Sequence, residues 1–253
     1  MKIIIGGALG RMGREVLAMA EAEGIQVACG VDVACQGSPA AIPVVKEYAE
    51  IAESADVLID FSRPDGLESL LNFCESRKMP CVLCATGYTE AQEKRIANAA
   101  RDIPILRSAN MSLGVNVMEQ LLTTAAKALR EDFDIEIVEK HHRMKADSPS
   151  GTALMLYEAV KKGMDREANP VFGRHSVAEK REKGDVGIHA VRGGTVTGEH
   201  EVGFYGNGEQ IILIHRAESR VLFAQGAVKA ARFLQGKPAG LYSMKDVVAE
   251  ILA

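Results

Sequence analysis

No stretch of the sequence comes near the roughly 20 consecutive apolar residues that a bilayer-crossing helix requires. The opening Ile3-Ile4-Ile5 is too short for the apolar core of a secretory signal, and Gly6-Gly7 cuts it off. The expectation is a cytoplasmic chain that works away from membranes. Charge of one sign is lacking too: 30 Lys and Arg stand against 34 Asp and Glu, a formal net charge of -4. Without an overall positive field there is nothing to hold a polyanion, which argues against nucleic acid as a partner. Cysteines are few and odd in number (Cys29, Cys35, Cys74, Cys81, Cys84), in a chain of 253 residues that is large enough to need no staples, and this suits a reducing compartment. There is no internal repeat and no low-complexity tract. What is present, 47% hydrophobic and 25% charged residues with 24 glycines, is the make-up of a globular chain with one large domain or two small ones.

Short apolar runs alternate with helical patterns through the first third, as in a parallel sheet wrapped by helices. Strands are predicted at 2–6, 26–31, 57–61, 81–85 and 103–107, and helices at 11–22, 67–77 and 90–100, the first helix ended by Gly24. After residue 110 the rhythm changes. An amphipathic helix over 115–129, with Val117, Leu121, Leu122, Ala125 and Leu129 on one stripe, precedes a strand over 134–139 that alternates Ile135 and Ile137 with Glu136. Residues 186–216 read as three strands in series, the last two joined across Gly206-Asn207-Gly208, hence a mixed or antiparallel sheet. Helices at 219–234 and 245–252, with Ser243 as N-cap of the latter, close the pattern, and 165–176 reads as an exposed loop. The fold class is therefore α/β, a parallel sheet wrapped by helices followed by a part with a mixed or antiparallel sheet.

Between the first strand and helix lie Gly7-Ala8-Leu9-Gly10-Arg11-Met12-Gly13. Glycines there permit a sharp turn and let the backbone approach a pyrophosphate, while the helix start offers unpaired N–H groups and partial positive charge. The spacing is a variant of the usual G-x-G-x-x-G, weak alone. Asp32 strengthens it: at the end of the second strand, about twenty residues on, a carboxylate can grip the ribose hydroxyls of a dinucleotide. Asp32 is followed by Val33, with no Arg or Lys beside it in sequence to meet a 2'-phosphate. NADH is expected over NADPH. Cys84-Ala85-Thr86-Gly87 and Ser108-Ala109-Asn110-Met111 end two further strands at the carboxyl edge, where ligands of open α/β sheets bind. Cys81-x-x-Cys84 lies in an apolar strand with no second pair and no histidine at ligand spacing, so neither a metal nor redox chemistry is expected.

The densest cluster of reactive side chains is His141-His142-Arg143-Met144-Lys145-Ala146-Asp147-Ser148-Pro149-Ser150-Gly151-Thr152-Ala153, between a strand and a helix over 153–162. Gly151 and Thr152 at the helix start can receive a carboxylate. Lys145 can bind a second carboxylate or give a proton, and a histidine can donate or accept one near neutral pH. A solvated turn capped by Ser150 is the plain alternative, and the glycine and threonine at the helix start favour an anion site.

Those residues, from Glu139-Lys140-His141-His142 through Lys145 to Ser150-Gly151-Thr152-Ala153, resemble the signature of the 4-hydroxy-tetrahydrodipicolinate (dihydrodipicolinate) reductase family of lysine and diaminopimelate biosynthesis. The glycine loop, Ala85-Thr86-Gly87-Tyr88 and Ser108 to Asn116 are similar to the cofactor segments of that family, and the likeness spans essentially the whole chain. It departs from the family pattern at Leu9, at Ser148 and at Val33, the last bearing on cofactor choice. The resemblance implies an NAD(P)H-dependent reduction with His141 as proton donor or acceptor and Lys145 as second proton donor. His142, Gly151 and Thr152 would bind the dicarboxylate substrate, and Gly7 to Met12, Asp32, Cys84 to Thr86 and Ser108 to Met111 the cofactor. It also implies a Rossmann nucleotide domain of 1–111 with 217–253, an α+β substrate and tetramerisation domain of 112–216 with an open mixed sheet, and a homotetramer. His215, Arg220 and Phe223 are left unassigned. A homoserine or aspartate dehydrogenase would give no reason for His-His-x-x-Lys followed by Ser-Gly-Thr, and a nucleotide-sensing regulator would need a basic DNA-reading module that the sequence lacks.

Overall fold

The computed structural model describes residues 1–35, 41–129, 132–164, 167–175 and 180–252, which fall into two units, Met1–Leu113 with Arg220–Ala253 and Gly114–Ser219. The first unit begins with β1 (Lys2–Gly6), α1 (Arg11–Ala22), β2 (Gln26–Val31), β3 (Val44–Val45) and β4 (Val57–Asp60), and continues with α2 (Leu67–Ser76), β5 (Cys81–Leu83), α3 (Glu90–Ala99) and β6 (Pro104–Arg107). The chain then forms α4 (Leu113–Leu129), β7 (Asp134–His141), α5 (Gly151–Gly163), β8 (Asn169–Phe172), β9 (Asp185–Arg192), β10 (Gly198–Tyr205) and β11 (Gln210–Ala217). It returns to the first unit with α6 (Val221–Leu234), β12 (Gly240–Tyr242) and α7 (Met244–Leu252).

The sheet of the first unit runs β12-β6-β5-β4-β1-β2-β3, parallel throughout. Strand order reverses beside β1, the point at which such sheets open a ligand crevice. Both faces are covered, which is why Ile3, Ile4 and Ile5 form an unbroken apolar run. Ile3 and Ile5 pack with Val57, Ile59 and the α6 residues Ala227 and Ala231, while Ile4 packs on the other side with Leu58, Leu70 and Ile96.

The second unit has a five-stranded sheet, β11-β10-β7-β9-β8, antiparallel at β11-β10-β7 and parallel at β7-β9-β8. Strand β7 alternates cleanly. Ile135, Ile137, Glu139 and His141 of β7 are all buried, and Ile135 and Ile137 pack with Leu156 and Val160 of α5 and Leu122 of α4. On the opposite face Val191, Ile212 and Ile214 are exposed.

Three sequence expectations give way here. The 165–176 loop contains edge strand β8, whose Asn169–Phe172 pairs in parallel with β9; Pro170 is tolerated because an edge strand has one side unpaired. Asp165, Arg166 and Ser176 of that loop lie outside the described residues. The packed stripe of α4 is Val115, Met118, Leu122 and Ala126, whereas Val117 and Leu121 are 37% and 51% exposed. Apolar residues on two helix faces made the stripe ambiguous by one position. The strand at 81–85 stops at Leu83, leaving Cys84 and Ala85 just beyond the sheet edge.

Candidate active site

The glycine loop turns where the sequence requires it. Gly7 adopts φ +70°, and the Gly7 and Ala8 amides donate to the Val31 carbonyl at 2.8 and 3.2 Å, locking the loop against the end of β2. Gly10 is the N-cap of α1 with no side-chain cap, and no acidic residue stands in the first turn, where Arg11 and Met12 lie. An added Cβ on Gly13 would lie 2.2 Å from the Gly7 carbonyl oxygen. The loop and helix thus meet in a contact that only glycine allows, and the helix start keeps its amides for an anion. Asp32 accepts the Leu9 amide at 2.9 Å.

A cavity of about 920 Å³ adjoins this loop, lined by Gly7, Leu9, Gly10, Asp32 and Val33 and also by Lys46 and Arg63. The absence of a cation beside Asp32 in sequence therefore does not hold in space: Lys46 follows β3 and Arg63 follows β4, both at the same sheet edge. At that edge too, the Cys84 amide donates to the Asp60 carbonyl at 2.9 Å, Ala85 is buried and Thr86 exposed. Burial and the Asp60 carboxylate push the Cys84 thiol well up, which disfavours the thiolate that redox chemistry needs. Beyond β6 the Ser108 hydroxyl donates to the Asn110 carbonyl at 2.8 Å, Asn110 Oδ1 accepts the Ser112 amide at 2.8 Å, Ala109 is exposed, and Met111 is buried in the core. The glycine-loop cradle and uncapped helix fit a dinucleotide.

In the second unit a separate cluster forms at the end of β7. His141 is buried, and its Nδ1 lies 2.6 Å from Glu139 Oε2. Glu139 in turn accepts from the two terminal guanidinium nitrogens of Arg192, each at 2.7 Å, and from the Ser150 amide at 3.0 Å. Burial works to raise the Glu139 carboxyl, but Arg192, His141 and the Ser150 amide outweigh it and hold it below its ordinary range. The His141 imidazole is lowered by burial, with Lys145 and Arg192 adding to that and Glu139 opposing. Across the turn, Lys145 Nζ pairs with Asp147 at 2.9 Å, an ion pair whose carboxylate is 60% exposed. Such a contact is worth little, so the ammonium can exchange it for another carboxylate. His142, half-buried, begins the turn, its carbonyl accepting the Lys145 amide at 3.1 Å.

Ser150 caps α5 by accepting the Ala153 amide at 3.1 Å, and its hydroxyl also meets His200 Nε2 at 3.0 Å. Gly151 is exposed with open space where a Cβ would stand, and Thr152 is half-buried. His200 stands edge-on to His141 at 5.2 Å between ring centroids. Burial, then His141, depress His200 to about 4, so it is neutral near pH 7. Strand register sets His215 directly opposite His200. Sequence reasoning gave Glu139, Arg192 and His200 no role. The period-2 link from Glu139 to His141 was available, whereas Arg192 and His200 come from β9 and β10, and only sheet register brings them in.

The family comparison decides what this arrangement belongs to. Residues 1–111 match the family model described as dihydrodipicolinate reductase, N-terminus, and residues 114–248 match the one described as dihydrodipicolinate reductase, C-terminus. The chain belongs to the dihydrodipicolinate reductase family. Among relatives in that family, the 4-hydroxy-tetrahydrodipicolinate reductase of Caldanaerobacter subterraneus subsp. tengcongensis is 47% identical over 249 residues, covering 98% of each chain. The Clostridium tetani enzyme of the same name is 44% identical over 245 residues, 96% of this chain and 95% of its own. A dihydrodipicolinate reductase from Paenisporosarcina sp. TG-14, solved with dipicolinate bound, superposes with a TM-score of 0.82 at 22% identity over 97% of this chain and 98% of that one, a likeness of fold. A Thermotoga maritima aspartate dehydrogenase reaches 0.54 at 11% identity over 94% of this chain and 98% of that one, so the fold extends beyond the dihydrodipicolinate reductases.

Proposed function

We propose that this chain reduces 4-hydroxy-tetrahydrodipicolinate to tetrahydrodipicolinate, with His141 and Lys145 as the proton-handling residues. The observation that carries the reading is the turn from β7 to α5, which sets a buried imidazole, a loosely held ammonium and an open helix start within one segment. The substrate loses its hydroxyl as water, and one hydride and one proton add in its place. A bound nicotinamide supplies the hydride, to ring C4. Addition to a conjugated imine builds electron density that a nearby acid must quench, and His141 or Lys145 gives that proton. His142, Gly151 and Thr152 bind the dicarboxylate, the α5 start contributing its partial positive charge.

For the cofactor, the Gly7 to Met12 loop would hold the pyrophosphate and Asp32 the adenosine ribose, with Cys84 to Thr86 and Ser108 to Met111 bordering the nicotinamide half. The Asp32 carboxylate favours NADH, because it repels a 2'-phosphate. Lys46 and Arg63 on the cavity wall keep NADPH usable but weaker. The five free thiols fit a cytoplasmic setting, and no helix among the described residues is long and apolar enough to cross a membrane. Association into a homotetramer is supported by the open sheet face bearing Val191, Ile212 and Ile214. A monomeric sedimentation profile would overturn that part.

The test is to mix the protein with NADH and the condensation product of aspartate-semialdehyde and pyruvate and to follow the loss of NADH absorbance. No oxidation with either NADH or NADPH overturns the reading. His141→Ala and Lys145→Ala are each expected to slow turnover at least ~100-fold, and near-normal rates would remove them from the mechanism.

A further inference from the structure

A proton-carrying His141 does not by itself account for the carboxylate buried beside it. Glu139 is 0% exposed, at a depth where an unpaired carboxylate would be protonated rather than charged. The Arg192 guanidinium neutralises it through two parallel bonds of 2.7 Å, one to each oxygen, and the Ser150 amide adds a third bond to Oε1 at 3.0 Å. Arg192 is itself fixed by the Asp147 carbonyl at 2.6 Å. The carboxylate is thus compensated without the imidazole, yet Oε2 also takes His141 Nδ1 at 2.6 Å, the shortest contact Glu139 makes.

An ionised carboxylate only accepts, so the proton of the neutral His141 ring stays on Nδ1 and its lone pair on Nε2. An independent feature keeps a side chain away from Nε2. Gly198 lies opposite His141 on β10, and a Cβ there would stand 3.1 Å from Nε2, closer than to any other atom. One ring nitrogen is therefore committed to Glu139, and the other lies beside a position without a side chain.

We propose that Glu139 is a positioning residue for the reduction: anchored by Arg192 and the Ser150 amide, it holds the His141 proton on Nδ1 and aims Nε2 as the atom that exchanges protons. This rests on the reading of His141 given above. The charged and titratable groups facing His141 are Glu139 on its own strand, Arg192 from β9, His200 from β10 and Lys145 from the turn, which carries Asp147 on its far side. Glu139 alone favours the imidazolium. Removing its charge leaves burial, Lys145 and Arg192 acting together to lower the ring further.

The experiment uses the full chain labelled with ¹⁵N-histidine and reads the imidazole nitrogens by NMR over a pH titration, the His141 signals being those missing from His141→Ala. In the parent the neutral His141 ring is expected with Nδ1 protonated. In Glu139→Gln the amide oxygen turns to Arg192 and its NH₂ to Nδ1, so the proton moves to Nε2 and the titration midpoint falls. In turnover, Glu139→Gln is expected to lose at least ~10-fold in kcat with KM little changed, and the alkaline limb of the profile should move to lower pH. The double variant with His141→Ala should be no slower than His141→Ala alone. Glu139→Asp, which keeps the charge, should retain part of the parent tautomer. Should Glu139→Gln not fold, Glu139→Asp serves: the shorter side chain draws the carboxylate back from Nδ1, and the Nδ1-protonated fraction and the titration midpoint should both fall part of the way. Unchanged His141 nitrogens in the folded variant, or losses that add in the double variant, overturn the proposal. Normal turnover in His141→Ala would instead remove His141 from the mechanism, and no coenzyme oxidation by the parent would overturn the reaction reading, so the failures are told apart.

Discussion

Asp32 reaches back to the loop that precedes it in sequence: Oδ2 accepts the Leu9 amide at 2.9 Å while Oδ1 accepts the Ala34 amide at 3.0 Å. One carboxylate thus braces the glycine loop from the end of β2 and keeps lone pairs for a sugar hydroxyl. Its two roles separate by substitution. Asp32→Asn keeps one acceptor for the loop but loses the charge, and should weaken NADH about 10-fold while affecting NADPH less. Asp32→Ala removes the brace as well and should weaken both. Titration of each coenzyme by fluorescence checks this, and an unchanged preference in Asp32→Asn would mean that Asp32 does not read the ribose.

Gly13 and Gly24 offer a contrast between lost space and lost backbone freedom. An added Cβ on Gly13 meets the Gly7 oxygen at 2.2 Å and Ala8 Cα at 2.7 Å, whereas Gly24, at φ +65°, has nothing within 4 Å. Gly13→Ala is expected to cost about 3 kcal/mol or more, because backbone must move. Gly24→Ala should cost about 1 kcal/mol for the left-handed conformation alone. Chemical denaturation of both variants tests the order, and equal losses would contradict it.

Gly198→Ala should damage turnover without damaging the fold. The new methyl crowds His141 Nε2 from 3.1 Å, and the ring cannot swing away while Nδ1 is bonded to Glu139. A fall in kcat of about 10-fold with a nearly unchanged melting temperature is expected. Parent-level kcat would show that the space before Nε2 is not used.

Stability should fall in mildly acidic solution. His200 is depressed from 6.5 to about 4 in the folded chain, so between those values the unfolded chain binds more protons. The stabilisation from keeping His200 neutral is complete above about pH 6.5 and is lost progressively as the pH falls toward about 4. At most it amounts to about 3 kcal/mol. His200→Gln stays neutral and should flatten the decline in melting temperature over that window. His141 and His215, also lowered by burial, leave a residual slope. An identical slope in the variant would exclude His200 as its source.

The first unit was legible because its signals are local. Strands β1 and β2 and helix α1 match their sequence-read bounds, since Gly7, Gly10 and Gly24 punctuate them and covered strands are apolar throughout. Strands β3, β8 and β12 were missed. They have two to four residues, lie toward sheet edges and carry little periodicity, so pairing rather than pattern defines them. The site was legible along one segment, His141 to Thr152, and illegible across strands. Glu139 stands two residues from His141 and could have been found from the strand period. Arg192, His200 and Gly198 could not, because each depends on which strands neighbour β7 and in what register. Lys46 and Arg63 were hidden likewise by their distance from Asp32 along the chain.

Helix α6 supplies Ala224, Ala227, Val228, Ala231 and Leu234 to the same core that holds Ile3 and Ile5. Ile3 and Ile5 thus wait for partners made more than two hundred positions later, with all of Gly114–Ser219 emerging in between. On the ribosome the segment that carries His141 can close its own core while the nucleotide-holding layer is still bare on one side. A message truncated before Val221 would release a chain with one finished half and one sticky half, a substrate for chaperones rather than a smaller enzyme.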